Sequence, residues 1–380
     1  MNKFKRFYFI LFLTWSSVYT LITLYMNEIV GLSLSNIGLI MSVLPLISLV
    51  FQPVWGGIAD FSGKRKAVLQ MMLLANAGIA GVITLFTHNI VVVVIYFMYQ
   101  LFICGQGPLT DSMAIQYVGE NPNSTFGFIR VWGSIGYAIG AIIVSFIANQ
   151  FGLKWMFYMA AIGYFISFLL TRGIKSNQVP VLKSHFKRDL KMLLKQKDYL
   201  FILVFSFLMI GSFFGSDQYL GLFIRSNDIQ LSTIGLLTFI SVCIEVPFIF
   251  HSKRLINKYG AARLLVFMNI ASIVRMVILG FSSTFFMFVL AGILRGVFVG
   301  IFVPIFIELI CEMTPHAVVT SAVAIYSAVS SGIANFVFTL IGGLIAEAFG
   351  YESLFFSYAL IMCVPLLLAL KINTFKSVKS

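Results

Sequence analysis

The chain has 380 residues, 60% of them hydrophobic, with a mean hydropathy of +0.99 and charge at only 10% of positions. No soluble domain of this length keeps such a surface in water, so the composition implies a polytopic membrane protein. A net charge of +13 would suit nucleic acid, but the basic residues sit in short loops on one side of the apolar runs, where they orient a membrane protein instead.

Lys3, Lys5 and Arg6 precede an apolar run reaching Tyr25. It is longer than a signal-peptide core and lacks a small-residue cleavage site, which predicts a retained first span. Runs able to cross about 30 Å of hydrocarbon occur at about 7–27, 35–59, 67–87, 90–118, 125–150 and 154–172, then at about 199–223, 231–251, 261–281, 285–310, 320–346 and 351–371. The expectation is an all-α membrane protein with twelve transmembrane helices. They form two pseudo-symmetric six-helix bundles, residues 1–172 and 199–380 with a short tail, joined by a basic cytoplasmic linker at 173–198. From Arg172 to Lys197 the chain carries eight basic residues and Pro180, and its Lys187 to Lys197 part suits an amphipathic surface helix. A solvated, lipid-facing linker is favoured over a regulatory segment.

Of the 26 Lys and Arg, only Lys154 and Arg225 fall on one side, Arg275 and Arg295 lie inside spans, and the rest mark the other side, including Arg130 near the turn between spans 4 and 5. Both termini and the linker are therefore expected to be cytoplasmic, in a multi-pass protein of the cell membrane. Cys104, Cys243, Cys311 and Cys363 show no metal-ligand spacing, so neither a disulfide framework nor a metal site is expected.

The halves repeat each other. Ile147-Ala148-Asn149-Gln150-Phe151-Gly152 returns as Ile345-Ala346-Glu347-Ala348-Phe349-Gly350 at an offset of 198, and the loop glycine Gly63 returns as Gly260 at 197. Parallel repeats imply a pseudo-two-fold axis along the membrane normal, with a site between the repeats near the midplane. Small residues predict helix contacts along Gly133, Gly136 and Gly140, along Gly292, Gly296 and Gly300, and along Ser327, Ser331 and Ala334.

Spans 4 and 5 carry the decisive charges. Asp111 lies nine residues before Glu120, where the turn is centred, and Arg130 ten after it. At about 1.5 Å per residue both come to a similar depth in a helical hairpin and can meet. Lining an aqueous cavity, such a pair is a substrate or ion site; sealed, it locks two helices. Its cost in hydrocarbon favours the first reading.

The loop after span 2 reads Gly56-Gly57-Ile58-Ala59-Asp60-Phe61-Ser62-Gly63-Lys64-Arg65-Lys66. Gly63 permits a sharp turn, Gly56 close packing, and Asp60 can hold a helix amino terminus or an Arg until the bundles move. The loop resembles the conformational-switch signature of the major facilitator superfamily, with Phe61 in place of the usual basic residue; Asn257-Lys258-Tyr259-Gly260-Ala261-Ala262-Arg263 is a degenerate copy.

Within that superfamily the chain resembles the lactose and phenylpropionate permease branch over nearly its whole length. Phe51-Gln52-Pro53 leads into the loop, and Phe126-Gly127-Phe128-Ile129-Arg130 with Gly133, Gly136 and Ala138 matches the family's span 5 motif. By resemblance, Asp111 falls where the family's acid binds sugar, Tyr137 where a Trp stacks on it, and Arg275 where an Arg is linked to proton coupling. Glu245, beside Pro247, lies about one turn from the coupling acid. The departures are Arg295 for a His, Phe298 for the proton-carrying Glu, and no Lys in span 11. Asp217-Gln218 matches a step whose basic partner here would be Arg295. Glu308, at the depth of Thr110 by the 198 offset, is a further proton carrier or a rim residue.

What the resemblance implies is proton-coupled symport of a small polar or organic-acid solute, a sugar, nucleoside or aromatic acid, by alternating access. Asp111, Arg130, Tyr137 and Glu245 would bind solute; Asp217, Glu245, Arg275, Arg295 and Glu308 would form the proton-linked network. The partners are solute, protons and lipid, with a proton gradient and no cofactor, in a monomer. No His lies well inside a span, so coupling would fall to carboxylates. A drug-proton antiporter is one alternative, disfavoured because Gly136-Tyr137-Ala138-Ile139-Gly140 carries no Gly-Pro kink. A sensor or scaffold is another, disfavoured by the short tail after Ile372. No enzyme constellation occurs.

Overall fold

The computed structural model describes residues 3–121, 125–174, 192–193, 195–314 and 318–371. Most of the linker, including the expected surface helix from Lys187, lies outside them, as do the tail from Ile372, His185 and His316. The described residues form helices and connecting turns, with no strand among them.

We number the helices α1 Lys3–Ile29, α2 Leu34–Ser62, α3 Arg65–Ile83, α4 Asn89–Glu120, α5 Phe126–Phe151, α6 Trp155–Thr171, α7 Lys197–Ser226, α8 Leu231–Tyr259, α9 Ala261–Gly280 and α10 Phe285–Met313. Val319–Ser327, the π-helical Ala328–Ala334 and Asn335–Lys371 then run on from one another. This last stretch is broken at Gly350, with φ 85°, giving α11 before the break and α12 after it. Ten segments are long and apolar enough to cross a membrane, α6 is a shorter apolar helix, and the 48-residue Ser321–Leu368 counts as two passes across its break. Twelve apolar helical segments result among the described residues, matching the twelve of the hydropathy pattern.

The internal repeat is written in the turns. Among the described residues, positive φ occurs at Gly31, Gly63, Gly152, Asp228, Gly260 and Gly350. They pair as Gly31 with Asp228 and Gly63 with Gly260 at an offset of 197, and Gly152 with Gly350 at 198. Left-handed backbone costs an ordinary residue about 1–2 kcal/mol, and Gly escapes that penalty while Asp tolerates it. The chain thus breaks at equivalent points in both halves.

Two compact units form: one of Met1–Ser33, Leu46–Leu182 and Ile224–Val242, the other of Leu34–Pro45, Lys183–Phe223 and Cys243–Ser380. In the first, α1 packs along α5 and α6, and α3 along α4 and α6. A Cβ on Gly136 would stand 2.1 Å from the Phe9 carbonyl oxygen, and one on Gly140 2.2 Å from Ser16 Oγ and 2.7 Å from the Leu13 carbonyl oxygen. The predicted small-residue face of α5 is therefore the surface that receives α1. The head of α8 joins this unit, with Gly235 against the Ala141 carbonyl, and Arg225 pairs with Glu28 at 3.0 Å.

In the second unit α9 packs on α10 and on the Asn335–Lys371 stretch. The head of α2 belongs here: Gly38 faces Tyr219 and Gly343, and the Ser35 N–H donates to Glu347 at 2.7 Å. A Cβ on Gly300 would lie 2.7 Å from the Glu245 carbonyl oxygen, which shows that α10 and α8 also meet through a glycine.

Candidate functional site

In the first unit the site grows from α1 and α4. Tyr8, Phe12, Trp15 and Tyr19 recur every three or four residues along α1 and so share one face. Three of them bond to polar side chains of α4. The Tyr8 hydroxyl donates to Asp111 Oδ1 at 2.6 Å, Trp15 Nε1 to Gln106 Oε1 at 3.1 Å, and the Tyr19 hydroxyl to Gln100 Oε1 at 3.4 Å. The fourth ring, Phe12, carries the Arg130 guanidinium on its face, 4.3 Å from the centroid.

Asp111 and Arg130 do not form the direct pair that their matched depth suggests. No ion pair within 4.0 Å joins them among the described residues; the partner of Asp111 is Tyr8. The cause is helix neighbourhood. α4 and α5 touch at few points, whereas α5 packs along α1 throughout, so α1 side chains fill the place beside both charges. The two still share a neighbourhood, because Asp111 accepts from Tyr8 while Arg130 lies over Phe12, one turn further along the same face of α1. Tyr137 stands two turns beyond Arg130 on α5 and is half-buried.

Asp217 on α7 organises the second unit. It accepts from Arg275 Nη2 of α9 at 2.5 Å and from Arg295 Nε of α10 at 2.7 Å. The Arg275 side chain is 1% exposed, that of Asp217 12% and that of Arg295 26%, so Arg295 is the least enclosed of the three. Arg275 also donates through Nε to the Ala291 carbonyl at 3.3 Å and lies over the Phe213 ring at 4.5 Å. Phe298, standing where the resembling permeases have an acid, stacks on Phe213 at 3.8 Å and is buried. It is packing for the charge cluster and cannot carry a proton.

Glu245 on α8 is half-buried beside Pro247 and is not bonded directly to Asp217, which spends its oxygens on the two Arg. Glu308 is exposed near the end of α10, one turn before Glu312. It stands apart from the Asp217 cluster.

The loop from Asp60 to Lys66 is assembled within the first unit. Gly63 turns the chain at φ 62°, and Lys64 precedes the first turn of α3. Arg65 donates through Nε to Asp60 at 2.9 Å and through Nη1 to Ser112 at 3.1 Å, reaching the neighbour of Asp111. Lys66 Nζ donates to the Arg172 and Ile174 carbonyls at 3.0 and 2.9 Å, closing the carboxyl end of α6, where the helix dipole favours a cation. Asp60 thus holds an Arg, as its chemistry suggests. Gly56 differs from expectation: a Cβ there would meet nothing within 4 Å, so no close packing depends on it. Phe61 is 97% exposed.

Sequence reasoning missed Tyr8, Phe12, Trp15 and Gln106. The usable signal was the aromatic spacing in the first span combined with an amide five residues before Asp111 in an otherwise apolar run. Among the described residues no group of His, Cys, Asp and Glu is arranged to hold a metal ion.

Comparison with known proteins places this architecture. A family model described as the MFS_1 like family matches residues 1–357. The chain belongs to that family. Maltose permease of Geobacillus stearothermophilus is 29% identical over 97% of this chain and 93% of its own length. The multi-drug resistance efflux pump PmrA of Streptococcus pneumoniae is 26% identical over 86% and 83%. Among solved structures, a point mutant of the nucleoside transporter NupG superposes with a TM-score of 0.87 at 19% identity, covering 97% of this chain and 98% of that one. A D-xylose-proton symporter gives 0.71 at 16% identity, with 98% and 96% covered. The MFS_1-like chain is therefore a membrane transporter of the twelve-helix major facilitator type.

Proposed function

We propose that this transporter takes up a small polar solute together with protons, by alternating access, across a cell membrane in which both termini face the cytoplasm. The bundles at 1–172 and 199–380 move about the 173–198 linker. The protein acts as a monomer, leaves its solute chemically unchanged and uses a proton gradient instead of a cofactor. The observation that carries this reading is Asp217 held between Arg275 and Arg295 inside spanning helices. A nearly buried three-charge cluster is costly to build and is retained where its charge balance can be switched. Asp111, with Tyr8 and Arg130 close by, supplies the polar side of a solute site, and Glu245 links solute occupancy to protonation. The maltose permease relative and the nucleoside and xylose carriers of like fold support a neutral, hydroxylated solute.

Uptake by proteoliposomes under an imposed pH gradient tests the proposal. Asp217→Asn should abolish gradient-driven accumulation while leaving solute exchange across the membrane measurable. If accumulation survives in Asp217→Asn and in Asp111→Asn, these acids are not the coupling and binding groups. The resemblance to PmrA supports a second reading, proton-driven export. Inside-out and right-side-out vesicles given the same gradient separate the two by the direction of net flux.

A further inference from the structure

Gln106 is a costly side chain to bury in the first unit. Its residue is fully buried, its Oε1 accepts from the Trp15 indole, and its Nε2 finds no partner. The indole nitrogen can only donate, so the bond fixes which end of the amide faces Trp15 and leaves the donor end unanswered. A Leu there would spare the fold an unpaired buried donor, and such exceptions call for a reason. The reason available is the orientation of Trp15.

Trp15 occupies a distinctive place in the α1 stripe. Tyr8 is fully buried with its hydroxyl committed to Asp111, and the face of Phe12 is covered by Arg130. Trp15 is half-buried, braced by Phe12 at 4.4 Å and 50°, and held at its nitrogen by Gln106. Hydrocarbon suits the surroundings of its exposed surface poorly. α1 is the most buried of the long spans in the first half of the chain, and the stripe's neighbours are Asp111, Arg130, Gln106 and Gln100, groups that hydrocarbon would penalise. From Tyr8 to Trp15 is about 10 Å of helix. One stretch of α1 therefore presents an acid and a guanidinium at one end and a rigid indole at the other.

Resting on the transporter reading above, we propose that Trp15 is the stacking platform of the solute site and that Gln106 is a positioning residue that sets its ring plane. The solute has a flat, apolar ring face and a hydroxylated edge, as a glycoside or a nucleoside has. The ring lies on Trp15, and its hydroxyls reach toward Asp111 and Arg130. Stacking on an indole needs no charge in the solute, so the site selects ring shape first and polar pattern second.

The test uses purified full-length protein with maltose and uridine as separate probes, read by calorimetry and by solute exchange in proteoliposomes. At least one probe should bind. Trp15→Leu should weaken it about tenfold, Trp15→Phe by less than about threefold. Gln106→Leu should raise the half-saturation concentration several-fold without changing the maximal exchange rate. Because Trp15→Leu could fail to fold, a second variant keeps Trp15 and replaces Trp55, Trp132 and Trp155 by Phe; its fluorescence should change on adding the bound probe. Unchanged affinity in Trp15→Leu, equal losses in the Leu and Phe variants, or unchanged Trp15 fluorescence overturns the assignment. If neither probe binds while proton-driven uptake of another solute persists, the ring class falls alone. If no solute is taken up under a proton gradient, the underlying transporter reading falls too.

Discussion

Replacing Asp217 by Asn should strand two guanidiniums, and the geometry says how unequally they will suffer. Each Arg lies within hydrogen-bond distance of its own carboxylate oxygen, at 2.5 and 2.7 Å. With charge centres about 4 Å apart and an effective dielectric near 20, each pair has a gross attraction of about 4 kcal/mol, and desolvation offsets much of it. Remove the carboxylate and Arg295, 26% exposed, recovers hydration, whereas Arg275, 1% exposed, does not. Breaking such a pair from one side costs about 3–5 kcal/mol. Arg275→Met should cost less, about 1–3 kcal/mol, because Asp217 keeps Arg295 while hydrogen bonds to the carboxylate and the Ala291 carbonyl are lost. The double variant Asp217→Asn/Arg275→Met should then be more stable than Asp217→Asn alone, since the stranded charge has gone. Reversible unfolding in mixed detergent micelles, run on all four proteins, yields the coupling energy directly. Costs that simply add would refute the claim that Asp217 and Arg275 form one electrostatic unit.

Tyr8→Phe should leave the fold intact, cost about 1 kcal/mol from the lost hydrogen bond and weaken solute affinity, checked by thermal unfolding and calorimetry; unchanged affinity would detach Tyr8–Asp111 from the site. Gly136→Ala should destabilise by about 1–3 kcal/mol, because its Cβ would meet a backbone carbonyl that cannot swing aside, while Gly56→Ala should be tolerated. Comparing the two by yield and unfolding temperature checks both. Gly350→Ala should cost about 1 kcal/mol through its positive φ, measurable in the same unfolding assay.

Spans, turns and repeat were legible because each depends on local chemistry: hydrocarbon length, a glycine where φ is positive, basic side chains after a turn. The Gly63/Gly260 and Gly152/Gly350 equivalences follow from sequence alone. The Gly31/Asp228 pair escaped notice because its members differ chemically while sharing a backbone conformation. Asp217 with Arg295 was legible through the family resemblance, whereas the bond from Arg275 to the same carboxylate was not read in advance. Asp111 with Arg130 was only half legible. Residue counting fixes depth along a helix but not which helix stands beside it, and here α1 takes the place that a simple hairpin would give to α4. Tyr8 and Trp15 were hidden in a first span rich in aromatics, where composition does not separate a hydrogen-bonded ring from a packing one.

The seating of α1 on the Gly136 and Gly140 face of α5 has a mechanical consequence. With backbone carbonyls of one helix lodged where the other lacks side chains, neither can slide along its partner without first lifting away from it. Whatever rocking the protein undergoes, these two rods travel as a single beam, and Phe12 and Arg130 travel on it with their spacing unchanged. If solute binds beside them, as proposed above, choice among cargoes resides in a stiff template while turnover speed is governed elsewhere, which separates the two as targets for engineering.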